Sequence, residues 1–456
     1  MIDQKENQIL HGVIWKQLLL FFFPIMMGTF FQIFYNTVDA IVVGRYVGTT
    51  ALAAVGGPTG TLINLIIGFF VGLTSGSTVV IAQYYGSGDV RKTSRAVHTS
   101  MALALAGGVL IGLLGIELSG WALDLMGTPE EVMPYAHRYL TIFLGGSIFS
   151  LVYNMGSSIL RARGDSKRPF YLLAFSSLLN IGLDMFLVVG MGWGVAGVAW
   201  ATVISQACCA AGVWACLALE DDACRLTFRR ICFDRVITRN IIAIGLPAAF
   251  QGAMYGVSNV VVQSVVNSFG VTSVAAWTVF TKIDVFYWQM MNSFGVALTT
   301  FSGQNFGARQ YDRVISSIHQ CTVIALIGTL SVSGIYLFFA RQLATIFTAD
   351  AEVISTCVAV IGTMAPYYFT YVPLETVCCG IRSTGDSFIP TVMMATGVCF
   401  FRLFWAWCVV PFFPSILTLG RGYPVSWLLT SIAFLIYHRY GNWLERSIVR
   451  AGHRPA

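Results

Sequence analysis

Charged residues are scarce in this sequence. Only 11% of its 456 residues are Asp, Glu, Lys or Arg, whereas 56% are hydrophobic and 14% are aromatic. A soluble globular domain carries roughly a quarter charged residues, so this composition cannot build a water-exposed surface. The apolar runs are continuous and do not alternate with period two, which excludes a membrane β-barrel and predicts an all-α integral membrane protein.

Signatures of soluble catalysis and of secretion are also missing. The sequence contains no HExxH, GxSxG or CxxC motif, and its eleven cysteines lie mostly inside apolar runs. We therefore expect no enzyme activity, no cofactor, and no metal or disulfide framework built on cysteine. The short polar segment before the first apolar run has no small-residue cleavage site, so no cleavable signal is expected.

Twelve apolar segments are long enough to be transmembrane helices. They are 15–43, 51–83, 94–118, 133–160, 169–191, 194–219, 240–268, 273–303, 315–340, 353–381, 388–413 and 420–440. Alternate loops hold most of the Lys and Arg residues, and the loops between them hold only Arg45, Arg138, Arg341 and Arg421. The positive-inside rule then places both termini in the cytoplasm, with the protein in the inner (plasma) membrane. The basic excess is explained by topology, and we expect no nucleic-acid partner.

The two halves of the sequence resemble each other. LRARGDSKRP (160–169) matches IRSTGDSFIP (381–390), and AQYYG (82–86) matches GQNFG (303–307), both at an offset of 221 positions. A duplication of six spans keeps the orientation of each half, so the repeat is parallel and predicts two six-helix lobes. The predicted domains are an N-terminal lobe (1–219), a cytoplasmic linker (220–239) and a C-terminal lobe with a short basic tail (240–456). Two lobes that can rock favour a transporter over a channel or an enzyme.

Ionisable residues inside predicted spans are candidates for function. Asp39 and Asp184 both fall about 9 Å inside the outer ends of their spans, and Asn180 shares the helix face of Asp184. With Thr202 at a similar depth, these oxygens can bind H⁺ or Na⁺, because burial and a neighbouring carboxylate favour protonation. Alternatively, each acid pairs with Lys282, Arg402 or a helix end.

Other polar residues in the spans keep two interpretations each. Glu375 either faces a central cleft or pairs with Arg402, whereas Lys282 and Asp284 are candidates for charge pairing between helices. Pro24 and Pro247 each remove a backbone hydrogen bond, which produces either a hinge or a static kink. A polar stripe on the first span faces protein or a water-filled cleft; its members are Gln32, Tyr35, Asn36 and Asp39.

The ordered motifs resemble the multidrug and toxic compound extrusion (MATE) transporters. The motifs are Pro24 with Asp39 and VGR (43–45), the duplicated R-x-x-G-D-S-x-x-P, N-x-x-x-D at 180–184, GVAGVAWAT (194–202) and FSGQNFGAR (301–309). The resemblance implies a V-shaped, two-lobed fold and export of organic, often cationic or amphiphilic, compounds against H⁺ or Na⁺. A flippase for a lipid-linked precursor on a related fold is the alternative. Small-molecule substrates and the lipid bilayer are the expected partners, and nothing requires more than a monomer.

Within this family the chain looks closest to the DinF-like branch. There the residues matching Asp39, Asn180, Asp184 and Thr202 form the coupling-ion site. The acids of the NorM-like branch are replaced here by Tyr255 and Tyr371, although Glu375 lies near the second of these positions. Tyr35, Tyr139 and Asn154 match positions that rearrange or touch substrate in relatives. The resulting substrate candidates are Gln32, Tyr35, Asn36, Tyr139, Asn154, Glu375 and Arg402.

Overall fold

A computed structural model describes residues 7–452 of the chain. Every regular element in that range is helical. Twelve long helices follow one another, several continuing across a bend or a π-helical turn. They are α1 (Ile14–Val47), α2 (Thr49–Gly86), α3 (Val90–Leu125), α4 (Met133–Gly145 and Ser147–Arg163), α5 (Lys167–Gly190), α6 (Val195–Ala218), α7 (Arg235–Asn267), α8 (Val271–Gly307), α9 (Tyr311–Phe338), α10 (Ala351–Ser383), α11 (Phe388–Val409) and α12 (Ile416–Tyr440).

Each predicted span overlaps one of these helices. Ten of them are long and apolar enough to cross a membrane, and the two parts of α4 form an eleventh span with a 48° bend. The twelfth, α8, has 37 residues and is not among the helices with a sufficiently long apolar stretch. Helices satisfy their own backbone hydrogen bonds, which a chain in lipid requires. The prediction of an all-α membrane fold is therefore confirmed.

The duplicated motif R-x-x-G-D-S forms the turn between two helices in both halves. Gly164 and Gly385 follow the helix ends with φ of 111° and 96°, a left-handed conformation that favours glycine. The Asp165 carboxylate then accepts hydrogen bonds from the backbone N–H groups of Lys167 (3.0 Å) and Arg168 (3.1 Å) at the start of α5. The motif therefore has a structural role at these turns.

Contacts between residues divide the described chain into two compact units. The first contains Leu20–Ala249, and the second contains Gln8–Leu19 and the chain from Phe250 onward. Both boundaries between the two units therefore fall inside a helix. One lies close to Pro24 in α1, and the other lies close to Pro247 in α7. Proline removes one hydrogen bond from the helix, so both helices are weakened near these unit boundaries. The predicted lobe boundaries in the 220–239 linker stay a prediction.

In the first unit, glycines bring α2 and the beginning of α7 into backbone contact. A Cβ atom at Gly76 would lie 2.3 Å from the carbonyl oxygen of Ile241 and 2.7 Å from the nitrogen of Gly245. A Cβ atom at Gly72 would lie 2.3 Å from the Cα of Ala249. Small residues four apart are a common means of packing membrane helices, because they let backbones approach closely.

In the second unit, the segment before α1 and the first turn of α1 are held by polar contacts. The guanidinium of Arg313 donates hydrogen bonds to the carbonyl oxygens of Ile9 (3.0 Å) and Gly12 (2.9 Å). The backbone N–H of Trp15 donates to the side-chain oxygen of Gln320 at 3.1 Å. These contacts explain why Gln8–Leu19 groups with the second unit.

Candidate functional site

Two acidic side chains from α1 and α5 meet inside the first unit. Asp39 is 6% exposed and Asp184 is fully buried. Their carboxyl groups lie close enough to interact electrostatically. Each acid lies just before a π-helical turn, at Val43–Val47 in α1 and at Met185–Gly190 in α5. Such turns inside α-helices are frequent at functional sites.

The oxygens of this pair lack donors. Within residues 7–452, no N–H or O–H group donates to either oxygen of Asp184 or to Oδ1 of Asp39. The side-chain amide of Asn180, one turn before Asp184, is buried and also without a partner. Two ionised carboxylates that lie close together in a low-dielectric interior repel each other strongly. A shared proton or a small cation between them removes that repulsion.

Thr202 and Tyr139 lie at the same site. The Tyr139 hydroxyl is close enough to Thr202, Asp39 and Asp184 to interact with them electrostatically. Thr202 is 6% exposed, and its hydroxyl donates to the carbonyl oxygen of Val198 at 3.1 Å. Its oxygen keeps lone pairs that can accept a proton or coordinate a cation.

This set of oxygens fits H⁺ or Na⁺ better than a divalent ion. Two carboxylates, one amide oxygen and hydroxyl oxygens are hard ligands, which suit a small hard cation. Among the described residues no group of three His, Cys, Asp or Glu side chains is placed to bind a metal. Two carboxyl groups that share one proton carry a single negative charge. One further H⁺ or Na⁺ balances that charge.

The predicted polar stripe on α1 has two buried and two exposed members. Tyr35 and Asp39 are buried in the first unit, and the Tyr35 hydroxyl lies close to the side chain of Gln32. Gln32 and Asn36 are exposed in the same unit. Asn154 on α4 turns back on its own helix, where its Nδ2 donates to the carbonyl oxygen of Ser150 at 2.8 Å.

In the second unit, Asp284 on α8 is buried between aromatic donors. Trp288 Nε1 donates to its Oδ2 at 2.6 Å, and the Tyr368 hydroxyl donates to its Oδ1. Lys282 is exposed, and no acid lies within ion-pair distance of it in the part of the chain that the structure describes. Asp284 is thus satisfied by hydrogen bonds, and among the described residues neither Lys282 nor Asp284 forms an ion pair with another helix.

Glu375 and Arg402 are likewise not joined by an ion pair among the described residues. The Tyr371 hydroxyl donates to Glu375 Oε2 at 2.9 Å, and the Cys379 thiol contacts its Oε1 at 3.4 Å. Arg402 is 5% exposed, and its guanidinium stacks on the ring of Tyr423. Of the two interpretations of Glu375, pairing with Arg402 is excluded.

Sequence reasoning missed the aromatic cluster that surrounds Asp284. The rings of Tyr287 and Tyr368 stack with centroids 4.1 Å apart and planes 9° apart. Trp288 and Trp427 meet edge to face at 5.8 Å. The only sequence signal was Trp288 four residues after Asp284, a spacing at which helical side chains can meet. Tyr368 lies on another helix, and no local pattern indicates it.

Comparison with known proteins identifies relatives of this chain. A sequence profile described as MatE matches residues 24–186 and again residues 247–408. The probable multidrug resistance protein YoeA of Bacillus subtilis is 27% identical over 464 residues, which cover 99% of this chain and 98% of that protein. A second Bacillus subtilis protein, the probable multidrug resistance protein YpnP, is 26% identical, covering 96% and 98% of the two chains.

A solved structure shares the fold. The structure of a MOP superfamily transporter from Pyrococcus furiosus superposes with a TM-score of 0.90 at 23% identity, covering 96% of this chain and 98% of that one. The likeness extends over nearly the whole chain, so the two-lobed, twelve-helix architecture is established. The double match of the profile, one match in each half, confirms the internal repeat.

Proposed function

The chain belongs to the MatE family, whose members are transporters and not enzymes, and we propose how it couples transport to an ion. We infer that it is a secondary-active exporter of organic, often cationic or amphiphilic, compounds, driven by H⁺ or Na⁺ that enters in exchange. The printed names of its Bacillus subtilis relatives, probable multidrug resistance proteins, support a broad range of substrates.

The observation that carries the coupling proposal is the buried pair of Asp39 and Asp184. An incoming H⁺ or Na⁺ neutralises the pair, with Asn180 and Thr202 supplying further oxygens. Neutralisation changes the electrostatic energy of the outer end of α1, which Pro24 allows to move relative to its beginning. The ion shifts the protein between access states only by its difference in affinity for them, and substrate shifts it in the same manner.

Substrate binding is proposed for the polar and aromatic residues near this pair. Tyr35 and Tyr139 interact electrostatically with the acidic pair, so the charge of the pair can affect how they bind a compound. Gln32 and Asn36 are exposed on the same helix and can contact that compound, and Asn154, Glu375 and Arg402 stay candidates for the same role. We further propose that the protein acts as a monomer in the plasma membrane, with both termini in the cytoplasm.

The test is efflux of a fluorescent cationic dye from proteoliposomes under an imposed pH gradient and, separately, an imposed Na⁺ gradient. The variants are Asp39→Asn, Asp184→Asn and the double change. Asp124→Asn, an exposed acid in α3, is the matched control. We expect the gradient that drives wild-type efflux to lose its effect in the site variants and to keep it in the control.

Two results would contradict the proposal. Ion-driven efflux that survives in the double variant would remove Asp39 and Asp184 from coupling. Absence of wild-type efflux under both gradients would move the substrate away from cationic compounds and favour the lipid-linked precursor.

A further inference from the structure

The connector between α6 and α7, taken here together with the start of α7, exposes five arginines. They are Arg225, Arg229, Arg230, Arg235 and Arg239. Among the described residues none of their side chains has an acid within ion-pair distance or a hydrogen-bond partner. The acids nearby are already engaged: Glu220 and Asp222 bind Arg163 at 2.5 and 2.7 Å, and Asp234 lies 3.6 Å from Arg95. Only Asp221, at the far end of the connector, is an exposed acid, so the surface stays strongly positive.

The connector is packed against the first unit. Cys224 and Leu226 are buried in its core, and the backbone N–H of Leu226 donates to the carbonyl oxygen of Leu217 at 2.9 Å. The backbone N–H of Thr227 donates to Nε2 of His98 at 3.1 Å. Burial raises the pKa of the Cys224 thiol well above its usual value. The opposite side of the connector, which carries the arginines, is therefore held in place.

Large apolar side chains alternate with these arginines. Phe228 is 73% exposed, Phe233 is 59% exposed and Val236 is 66% exposed. The ring of Phe228 lies 6.1 Å from that of Trp214, one turn before the end of α6. Because α6 is a transmembrane helix and Trp is typical of membrane interfaces, this contact places Phe228 at the edge of the bilayer.

We propose that this connector surface binds the phosphate groups of anionic phospholipids in the leaflet that it faces. Phe228 and Phe233 insert among the upper acyl chains, and the arginines donate paired hydrogen bonds to headgroup phosphates. Interleaved aromatic and basic residues are the pattern by which proteins bind an anionic membrane surface. Charge complementarity and the neighbouring membrane helix identify the occupant as lipid.

The segment after α12 provides a contrast within the same chain. It is also basic, but two of its arginines, Arg446 and Arg450, have partners within the protein. Arg450 lies 3.7 Å from the carboxylate of Asp386, and Arg446 donates to the hydroxyl of Tyr437 at 3.0 Å and to the carbonyl oxygen of Gly441. The connector differs because its five arginines have no such partner in the part of the chain that the structure describes.

The test measures lipid binding to the full chain and needs no transport. Purified protein in mild detergent is titrated with phosphatidylglycerol or with phosphatidylcholine, and bound lipids are counted by native mass spectrometry. The test variant carries Arg229→Gln, Arg230→Gln, Arg235→Gln and Arg239→Gln. The matched control carries Arg45→Gln, Arg138→Gln, Arg341→Gln and Arg421→Gln, which remove the same charge from exposed positions elsewhere in the chain.

We expect the connector variant to bind phosphatidylglycerol at least about tenfold more weakly, since each basic residue near an anionic surface contributes to binding. Phosphatidylcholine binding and the control variant should match wild type. A second variant, Phe228→Ser with Phe233→Ser, keeps every charge and should also weaken phosphatidylglycerol binding, because acyl-chain insertion is lost. If the quadruple variant unfolds, the pair Arg229→Gln and Arg230→Gln replaces it.

Three outcomes would overturn the proposal. They are phosphatidylglycerol binding unchanged in the connector variant, equal loss in the matched control, and binding of free glycerol phosphate as tight as that of phosphatidylglycerol. The last result would identify a site for soluble phosphate compounds. Because dye efflux is not measured, failure here leaves the proposed transport function untouched.

Discussion

The guanidinium of Arg402 lies over the ring of Tyr423, with Cζ 4.0 Å from the ring centroid. Arg402 is almost fully buried, and its Nε and Nη2 have no hydrogen-bond acceptor among the described residues. A buried cation without an acid partner depends on such a ring, because the negative face of the π system replaces part of its hydration. The relationship explains how the second unit accommodates a charge in a membrane helix.

The Arg402–Tyr423 contact predicts a measurable coupling. We expect Tyr423→Leu to lower the free energy of unfolding more than Tyr423→Phe, which keeps the ring. Thermal unfolding of purified protein in detergent measures both. A double-mutant cycle with Arg402→Met separates the cation–π contribution, expected at about 0.5–2 kcal/mol, from the packing of Tyr423 on Trp427. Additive effects of the two changes would contradict this prediction.

The donors to Asp284 are expected to matter for stability. Tyr368→Phe leaves one carboxylate oxygen without its hydroxyl donor, at a cost of about 1–3 kcal/mol for a buried acceptor. Tyr287→Phe is the matched control, because its hydroxyl donates only to the carbonyl oxygen of Tyr368, at 3.0 Å. The control should cost less in thermal unfolding. Equal losses would indicate that ring packing, and not the bond to Asp284, is the important contribution.

The contact of α2 with α7 predicts that Gly76 tolerates no side chain. Gly76→Ala places a methyl group 2.3 Å from the carbonyl oxygen of Ile241, and a backbone atom cannot move aside as a flexible side chain can. We expect loss of folded protein in detergent, judged by size-exclusion chromatography. Gly68→Ala, on the same helix but with no atom within 4 Å of the new methyl, should fold normally. Normal folding of both variants would refute the close contact.

Two cysteines of the connector should differ in reactivity and report its orientation. Cys224 is buried with a raised pKa, so little thiolate forms near neutral pH, whereas Cys232 is exposed. In variants that each keep one of these cysteines, a membrane-impermeant maleimide should label only Cys232, and only from the cytoplasmic side. Labelling of Cys224 should become detectable as the pH rises towards its pKa or on unfolding.

Opposite labelling results would have distinct meanings. Labelling of Cys232 in intact cells would reverse the orientation inferred from the basic loops. Equal labelling rates for Cys224 and Cys232 at neutral pH would show that the connector is not docked on the first unit.

Hydropathy alone determined the helical membrane fold, because a chain in lipid must satisfy its backbone hydrogen bonds within each span. The repeat was equally readable, since motifs such as R-x-x-G-D-S recur at a constant offset. The depth of Asp39 and Asp184 in their spans correctly suggested that they could meet. These are properties of distance along the chain, to which helical geometry gives a fixed rise per residue.

Other features depended on the tertiary structure. The beginning of α7 packs with the first unit because Gly72 and Gly76 admit its backbone, which no count along the sequence reveals. Among residues 7–452 Lys282 has no acid partner, and Arg402 stacks on the ring of Tyr423. Both facts follow from how each helix is rotated against its neighbours, which sets the direction of its side chains. The partner of Asp284, Tyr368, lies 84 residues away. Hydropathy specifies which segments become helices, whereas rotation and packing between helices decide which side chains meet.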